Sequence, residues 1–414
     1  MTRVSTNLTR NLIMQHTRNR QVEMNNVQNQ ISSQSRIQRL RDDPASAAHA
    51  TRYQSYLTRL NRFSDNLQYG IDTYRTTEGH MRHAVDILQE IRSIAVQGAN
   101  GTYTQEDTRH MARRVDELLG ALIETANAKN GDGTTIFSGD RTRSLPFRVV
   151  EGVHPEHGGR LVTSVDYVGS VGLRNTEISE GEFMALNFPG NRVFWAEQQG
   201  IISQRDGSDF VLTEDSTISI DGTSINLSAG ENIYGIISRI NRSDVPVRAS
   251  LDPVQNSLVL QSTNPHQLFL QDISGTVLTD LGILSTPDAP PPQNINQTAQ
   301  VFGASVFDAV IRLRDELFAG DTLNIGGGAL AGIDSAMGNL LSEVGSLGAK
   351  TERMEFAFRR IEREIPDMTQ RYSTEVDVDM TEAITRLRTL ETTHQAALST
   401  LARIVPQTLL DFLR

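Results

Sequence analysis

Residues 53–98 read "YQSYLTRLNRFSDNLQYGIDTYRTTEGHMRHAVDILQEIRSIAVQG". Alternating steps of three and four residues from Tyr53 to Gly98 give 14 positions, of which 11 are apolar. An apolar residue every 3.5 positions, sustained over six heptads, is typical of a helix that packs along its whole length against another helix. This stretch therefore predicts a long helix with one continuous apolar seam.

A second seam lies near the other end of the chain. The same steps from Ile333 to Tyr372 give 12 positions, of which 11 are apolar. Pro366 lies inside this run and is expected to kink or end the helix. Neither stripe can be buried by its own helix, so we expect the two helices to pair with each other and with neighbouring copies.

Turn and capping residues mark the predicted ends of these helices. Gly98 ends the first helix, and Thr104 with Asp107 forms a capping box that begins a second helix. That helix is expected to end at Asn130–Gly131 with a left-handed C-cap. The glycine cluster "NIGGGALAG" at 324–332 is interpreted as a flexible turn between two helices, because it lacks the arrangement of a phosphate-binding loop.

The middle of the chain has a different pattern. "STISIDGTSINL" at 216–227 alternates apolar and polar residues around Asp221–Gly222, which predicts a β-hairpin. The fold class is therefore multidomain α+β: long N- and C-terminal helices pair into a coiled-coil or helical-bundle rod, with a β-rich domain inserted between them. The predicted domains are 1–45 with 378–414, then 46–145 with 300–377, and an insertion at 146–299 that forms one or two subdomains.

Composition excludes several classes of protein. The 414 residues contain no cysteine, which excludes disulfides, zinc–thiolate sites and thiol nucleophiles. Arginines give residues 1–62 a net charge of +7, but they are spread singly, so nucleic-acid binding is not expected. No apolar run is long enough for a membrane span or a Sec-type signal peptide, so membrane insertion is not expected either.

Two short motifs could carry chemistry, and each has a simpler interpretation. Asp42 and Asp43 could share a metal or a proton, but Asp43 before Pro44 is typical of a helix start, where Asp caps and Pro occupies the first turn. We predict that Asp43 and Pro44 form a helix cap and hinge. His154 and His157 in "HPEHGG" could bind a metal, but Pro155 excludes the helical HExxH arrangement. We therefore predict no catalytic, cofactor-binding or metal-binding residues, and not an enzyme.

Several segments resemble those of bacterial flagellin-like proteins. They are "QISSQSRIQRLRDDPASAA" at 30–48, "AVQGANGTYTQEDTRHMARRVDELLGALIETAN" at 95–127 and "TEAITRLRTLETTHQAALSTLARIVPQTLLDFL" at 381–413. Within that superfamily, "FSGDRTRSLPF" at 137–147 is most similar to the hook–filament junction group, hook-associated protein 3. The alternatives are filament flagellin and, from another class, a flagellin-like protein with an enzymatic β insertion.

The resemblance implies a structural subunit of the bacterial flagellum. Such a protein is exported unfolded by the flagellar type III apparatus, self-assembles into a helical ring between hook and filament, and supports motility. Its expected partners are a neighbouring hook-associated junction protein, flagellin and an export chaperone. The expected location is the flagellum, extracellular or, in a spirochaete, periplasmic.

Apolar residues near both termini are the expected contacts with subunits or with the chaperone. In the C-terminal cluster, the same apolar face could close a helix pair or bind the chaperone before export. The predicted contact residues are Val4, Leu8, Ile31, Leu398, Leu401, Leu409, Leu410 and Phe412.

Overall fold

The structure, a computed structural model, describes residues 2–39, 41–153, 159–285 and 290–404. The side chains of residues 2–10, 401, 403 and 404 lie outside this description. Long helices occupy both ends of the described chain, and short strands occupy the middle. This arrangement confirms the predicted α+β fold class with terminal helices and a β-rich insertion.

The helices of the described residues include three that are 32 residues or longer. A π-helical turn, Ile325–Ala329, leads directly into the longest helix of the C-terminal half. The helices are α1 (Thr2–Ser33), α2 (Pro44–Gly98), α3 (Gln105–Ala126), α4 (Gly190–Val193), α5 (Ile233–Arg242), α6 (Val277–Asp280), α7 (Val306–Ala319), α8 (Thr322–Asn324), α9 (Leu330–Val376) and α10 (Met380–Ile404).

The strands form four small antiparallel sheets, ordered β1-β2, β3-β4, β10-β6-β7 and β11-β5-β9-β8. The strands are β1 (Phe147–Val153), β2 (Arg160–Tyr167), β3 (Asn175–Ser179), β4 (Glu182–Ala185), β5 (Gly200–Ile202), β6 (Ser216–Ile220), β7 (Thr223–Leu227), β8 (Val247–Leu251), β9 (Leu258–Ser262), β10 (Leu270–Ser274) and β11 (Gln300–Phe302).

The chain divides into two units. The first comprises the described residues of Met1–Asp65 and Phe358–Arg414, and the second comprises Asn66–Ala357. Helices α2 and α9 each contribute residues to both units. The predicted three-part division, with boundaries near 45, 145, 300 and 378, stays a prediction.

In the first unit, two pairs of helices pack together. Helix α1 packs on α10, with Val27 buried between them and the Arg20 guanidinium donating to the Thr393 carbonyl at 3.1 Å. The start of α2 meets the end of α9, where the Tyr56 hydroxyl donates to Glu364 Oε1 at 2.6 Å. Ile361 of α9 is buried there.

In the second unit, α2 and α9 run antiparallel. Arg75 pairs with Glu355 at 2.7 Å, and Arg92 pairs with Asp334 at 2.6 Å, so rising numbers on α2 meet falling numbers on α9. The predicted seam positions of α2 within this unit are buried: Leu67, Gly70, Tyr74, Thr77, Met81, Ala84, Leu88, Ile91, Ala95 and Gly98.

Helix α3 packs on α7 beside this seam. Arg314 of α7 is only 1% exposed, and its guanidinium lies 2.8 Å from both Asp116 of α3 and Asp315. The predicted capping box begins α3, since Thr104 Oγ1 accepts the Asp107 N–H while Asp107 Oδ2 accepts the Thr104 N–H.

The β-rich region has its own apolar core. Residues of the three- and four-stranded sheets share this core with α5, whose Ile233, Ile236 and Ile240 are all fully buried. The predicted hairpin is confirmed as β6–β7, with both turn residues, Asp221 and Gly222, at positive φ. Positive φ at both positions matches a type I′ turn, whose twist suits two-residue hairpins.

Three predicted boundaries are wrong, and tertiary contacts explain each difference. Helix α3 ends at Ala126, not at Asn130–Gly131, because the Asn127 side chain donates to the Phe147 carbonyl and accepts its N–H. Helix α9 does not end at Pro366 but continues through it, where packing through Ile361 and Glu364 holds the preceding turn; the alternative, a kink at Pro366, stays a prediction. The glycine cluster is helical, because buried Ile325 and Ala329 anchor the π-helical turn.

Candidate hinge and assembly surface

Asp43 lies immediately before α2, whose first residue is Pro44. Its Oδ1 accepts the backbone N–H of Ser46 at 3.1 Å, which satisfies one of the N–H groups left free at the start of a helix. Hydrogen bonds from Ser46 lower the pKa of the Asp43 carboxyl, and the Arg36 guanidinium acts in the same direction. The carboxylate is therefore the form that this site stabilises.

Arg36 joins this cap to the end of α9. Its guanidinium donates to Asp43 Oδ2 at 3.2 Å, to Ser46 Oγ at 3.2 Å and to the Glu375 carbonyl at 2.9 Å. Its backbone N–H donates to the Val376 carbonyl at 2.7 Å. One arginine thus ties the start of α2 to a segment more than three hundred residues away.

The segment between α1 and α2 also holds the connection between α9 and α10. The Val378 N–H donates to the Gln34 carbonyl at 3.1 Å, and Gln34 itself adopts a positive φ of 56° just after α1. Asp379 then begins α10, because its Oδ1 accepts the N–H groups of Thr381 and Glu382 at 2.8 and 3.1 Å. We call residues 34–39 and 41–46, together with 375–379, the junction loops.

Asp42, the other member of the acidic pair, forms hydrogen bonds with the backbone of Arg39, and among the described residues it shares no hydrogen bond with Asp43. Its Oδ2 accepts the Arg39 N–H at 2.9 Å, and its own N–H donates to the Arg39 carbonyl at 2.9 Å. Across the ranges that the structure describes, no group of three His, Asp or Glu side chains is placed to hold a metal ion. His154 and His157 lie outside the described residues.

The predicted contact residues fall into three groups. Ile31 on α1 is half-buried, and Leu398 on α10 is 47% exposed. Val4 and Leu8 on α1, and Leu401 on α10, lie in described helix backbone, but their side chains fall outside the description. Leu409, Leu410 and Phe412 lie beyond the described residues.

The first unit nevertheless displays a set of exposed apolar side chains on α1 and α10. Their exposed fractions run from 38% to 56%. Exposed apolar side chains mark a protein–protein interface where they form a contiguous patch. The set comprises Leu12, Met14, Val22, Met380, Ile384 and Leu398.

In the second unit, the β3–β4 hairpin is fastened to α2 and α9. The Asn66 amide donates to the Glu177 carbonyl at 2.8 Å, the Tyr74 hydroxyl donates to the Ala185 carbonyl, and Arg353 pairs with Glu182. Burial raises the pKa of Tyr74 to about 12, so its hydroxyl remains a donor. These anchors had no signal in the sequence, because they depend on the path of the insertion.

Three family models match the chain. One, described as the bacterial flagellin N-terminal helical region, matches residues 4–142, and one described as the bacterial flagellin C-terminal helical region matches residues 330–413. A third, described as the flagellin hook IN motif, matches residues 212–264. Together they cover both helical ends and the part of the insertion that contains β6–β9.

Individual relatives are distant. The flagellar filament 30.7 kDa core protein of Treponema maltophilum is 28% identical over 168 residues, which is 38% of this chain and 59% of that relative. The match thus spans less than two-thirds of that protein. Polar flagellin C of Vibrio parahaemolyticus is 22% identical over 407 residues, covering 97% of this chain and 96% of that one.

Among solved structures, the flagellar hook-associated protein-3 of Legionella pneumophila superposes with a TM-score of 0.45. It is 20% identical, and the superposition covers 78% of this chain and 97% of that one. In the portion of the chain that is described, no helix is long and apolar enough to cross a membrane.

Proposed function

This chain belongs to the flagellin superfamily, and from that premise we propose that it is the subunit of the ring that joins hook to filament. Members of the family are structural proteins of the bacterial flagellum. The finer assignment, to the junction and not to the filament, is our proposal.

The observation that carries the proposal is the exposed apolar set on α1 and α10. Both helices are already paired with each other, and Leu12 and Leu398 still remain about half exposed. A helix pair that leaves apolar side chains half exposed to water gains stability when further subunits cover them. We therefore propose that the first unit completes its core on assembly into a helical ring.

The sequence resemblance of the segment at 137–147 to the junction group favours the junction over the filament. Phe137 and Ser138 are fully buried, and the Tyr167 hydroxyl donates to the Phe137 carbonyl at 3.0 Å. At Gly139, with φ of +70°, an added Cβ would lie 2.0 Å from the Ser170 carbonyl oxygen. The start of the segment that resembles the junction group is therefore buried, at the point where the chain passes from α3 into the β-rich insertion.

Filament flagellin is the alternative, and the near-full-length alignment with polar flagellin C of Vibrio parahaemolyticus favours it. Deletion of the gene separates the two. A junction subunit predicts that cells lose attached filaments while flagellin accumulates in the medium. Motile cells with normally attached filaments, and no flagellin released, would sink the junction assignment.

The partners and the export route form part of the proposal. We expect contacts with copies of itself, a neighbouring hook-associated junction protein and flagellin, after export through the flagellar type III apparatus. An export chaperone would bind the C-terminal segment that contains Leu409, Leu410 and Phe412. Charged substitutions at Leu409 and Leu410 should abolish co-purification of the chaperone with the cytoplasmic subunit.

A further inference from the structure

We propose that a cleft in the first unit binds a carboxylate-bearing segment from the second unit of a neighbouring copy. This inference rests on the proposed assembly into a ring. The cleft has a volume of about 270 Å³ and lies between α1, the residues that follow α1, and α10. Its lining includes three arginines, Arg39, Arg41 and Arg386.

The three guanidinium groups are available to a ligand. All three residues are exposed, and none forms an ion pair with a carboxylate among the described residues. Arg36, only three residues from Arg39, differs because its side chain is already bonded to Asp43, Ser46 and Glu375. The contrast separates an arginine that holds the fold from those that face the cleft.

Hydrogen bonds hold part of the backbone at the edge of the cleft. Two hydrogen bonds, each 2.9 Å long, join Arg39 to Asp42: the Arg39 N–H donates to Asp42 Oδ2, and the Asp42 N–H donates to the Arg39 carbonyl. Across the cleft, Arg386 projects from α10, and buried Val27 of α1 is also part of the lining. The planar guanidinium pairs with a carboxylate through two parallel hydrogen bonds, so this arrangement suits carboxylates.

Two carboxylates, Glu23 and Asp42, also line the cleft. They reduce its positive charge without removing it, since three guanidinium groups face two acids. The Asp42 carboxylate is moreover engaged with the Arg39 backbone. An incoming carboxylate therefore meets a net positive site with a polar rim.

The distribution of charge along the chain favours the second unit of another copy as the occupant. The two segments of the first unit, 1–65 and 358–414, contain 18 arginines against 13 Asp and Glu residues. The second unit, 66–357, contains 21 Lys and Arg residues against 37 Asp and Glu residues. Two copies therefore attract each other where the first unit of one meets the second unit of the other.

The test compares two charge reversals on the same helix. Arg386→Glu alters the cleft, whereas Arg388→Glu alters an exposed arginine of α10 that does not line it. Each variant replaces the native protein in cells, and the fraction retained on isolated flagella is measured as NaCl is raised. We expect Arg386→Glu to be released about tenfold more readily, and Arg388→Glu to behave as wild type. Equal retention of the two variants overturns the inference.

A photo-crosslinking amino acid at Gln38, an exposed residue of the cleft, identifies the occupant directly. An adduct with a peptide from residues 66–357 of another copy supports the inference, whereas no adduct, or an adduct with a different protein, overturns it.

Urea unfolding of the Arg386→Glu and Arg388→Glu variants checks that both fold. If wild-type protein is missing from isolated flagella, the proposed function fails. If it is present and both charge reversals are retained equally, only this inference fails.

Discussion

Leu340 and Leu341 provide a direct test of the seam between α2 and α9. The two leucines are adjacent on α9, but Leu340 is 0% exposed and Leu341 is 48% exposed. Replacing either by alanine changes helix propensity only slightly, and in the same way. The difference between the two variants therefore isolates burial in the seam.

The burial of each leucine sets the expected change in the free energy of unfolding. Truncating a fully buried leucine removes its transfer free energy and leaves a cavity, so Leu340→Ala should lower the free energy of unfolding by about 3 kcal/mol. The second unit spans residues 66–357, and an unfolding entropy of about 2.1 cal/mol/K per residue makes this a decrease in Tm of about 5 °C. Leu341→Ala removes a half-exposed side chain and encloses no cavity, so the expected change stays within about 1 kcal/mol.

The single tryptophan makes the assay specific to the second unit. Trp195 is 8% exposed, and its carbonyl accepts the Asn339 amide at 2.7 Å, one residue before Leu340. Fluorescence during urea unfolding should show a lower midpoint for Leu340→Ala with an unchanged slope. If both variants shift the midpoint equally, or if Leu341→Ala shifts it more, the proposed register of α9 is incorrect.

Three further predictions concern the junction loops and the buried arginine. Asp43→Ala should expose the start of α2 to limited proteolysis, whereas Asp43→Asn, which keeps an acceptor for the Ser46 N–H, should resist cleavage nearly as well as wild type; equal cleavage of both would show that the cap is unimportant. The pKa of Asp43 is lowered in the folded state, so its contribution to stability is complete above its ordinary pKa of about 4 and is lost as pH falls through the lowered value. Urea unfolding from about pH 6 to pH 2, followed by circular dichroism, should show this loss in wild type and a smaller one in Asp43→Asn; identical profiles would contradict the assignment. Arg314→Ala truncates a buried side chain and removes a partner of the partly exposed Asp116 and Asp315, so it should cost about 2–3 kcal/mol in urea unfolding, whereas exposed Arg312→Ala should stay within about 0.5 kcal/mol; comparable losses would contradict the buried position of Arg314.

Regular patterns in the sequence were sufficient to predict the long helices and the faces that they bury. The apolar repeat from Tyr53 to Gly98 predicted the buried face of α2, because a helix with one apolar stripe has few ways to bury it. The Thr104–Asp107 capping box and the Asp221–Gly222 turn were also predicted, since their hydrogen bonds and φ angles are set within a few residues.

Features that depend on distant residues could not be predicted in this way. Helix α3 ends where Asn127 meets the backbone of Phe147, a contact that exists only after the chain has turned back. Arg36 looked like one of several scattered arginines, yet it bonds to the end of α9. Burial of Arg314 likewise depends on the packing of α3 against α7.

In the glycine cluster at 324–332, the local sequence predicted the wrong structure. Its composition favours a turn, because each glycine weakens a helix by about 1 kcal/mol relative to alanine. Burial of Ile325 and Ala329 on either side outweighs that preference, and the segment becomes a π-helical turn. Tertiary packing thus decided the structure where local propensity pointed elsewhere.

Localisation on isolated flagella tests the central claim most directly. Antibodies against the second unit, coupled to gold, would be applied to purified hook–basal bodies that carry filaments. A junction subunit predicts label confined to the boundary between hook and filament. Label distributed along the whole filament, or absent from the flagellum, would contradict the account.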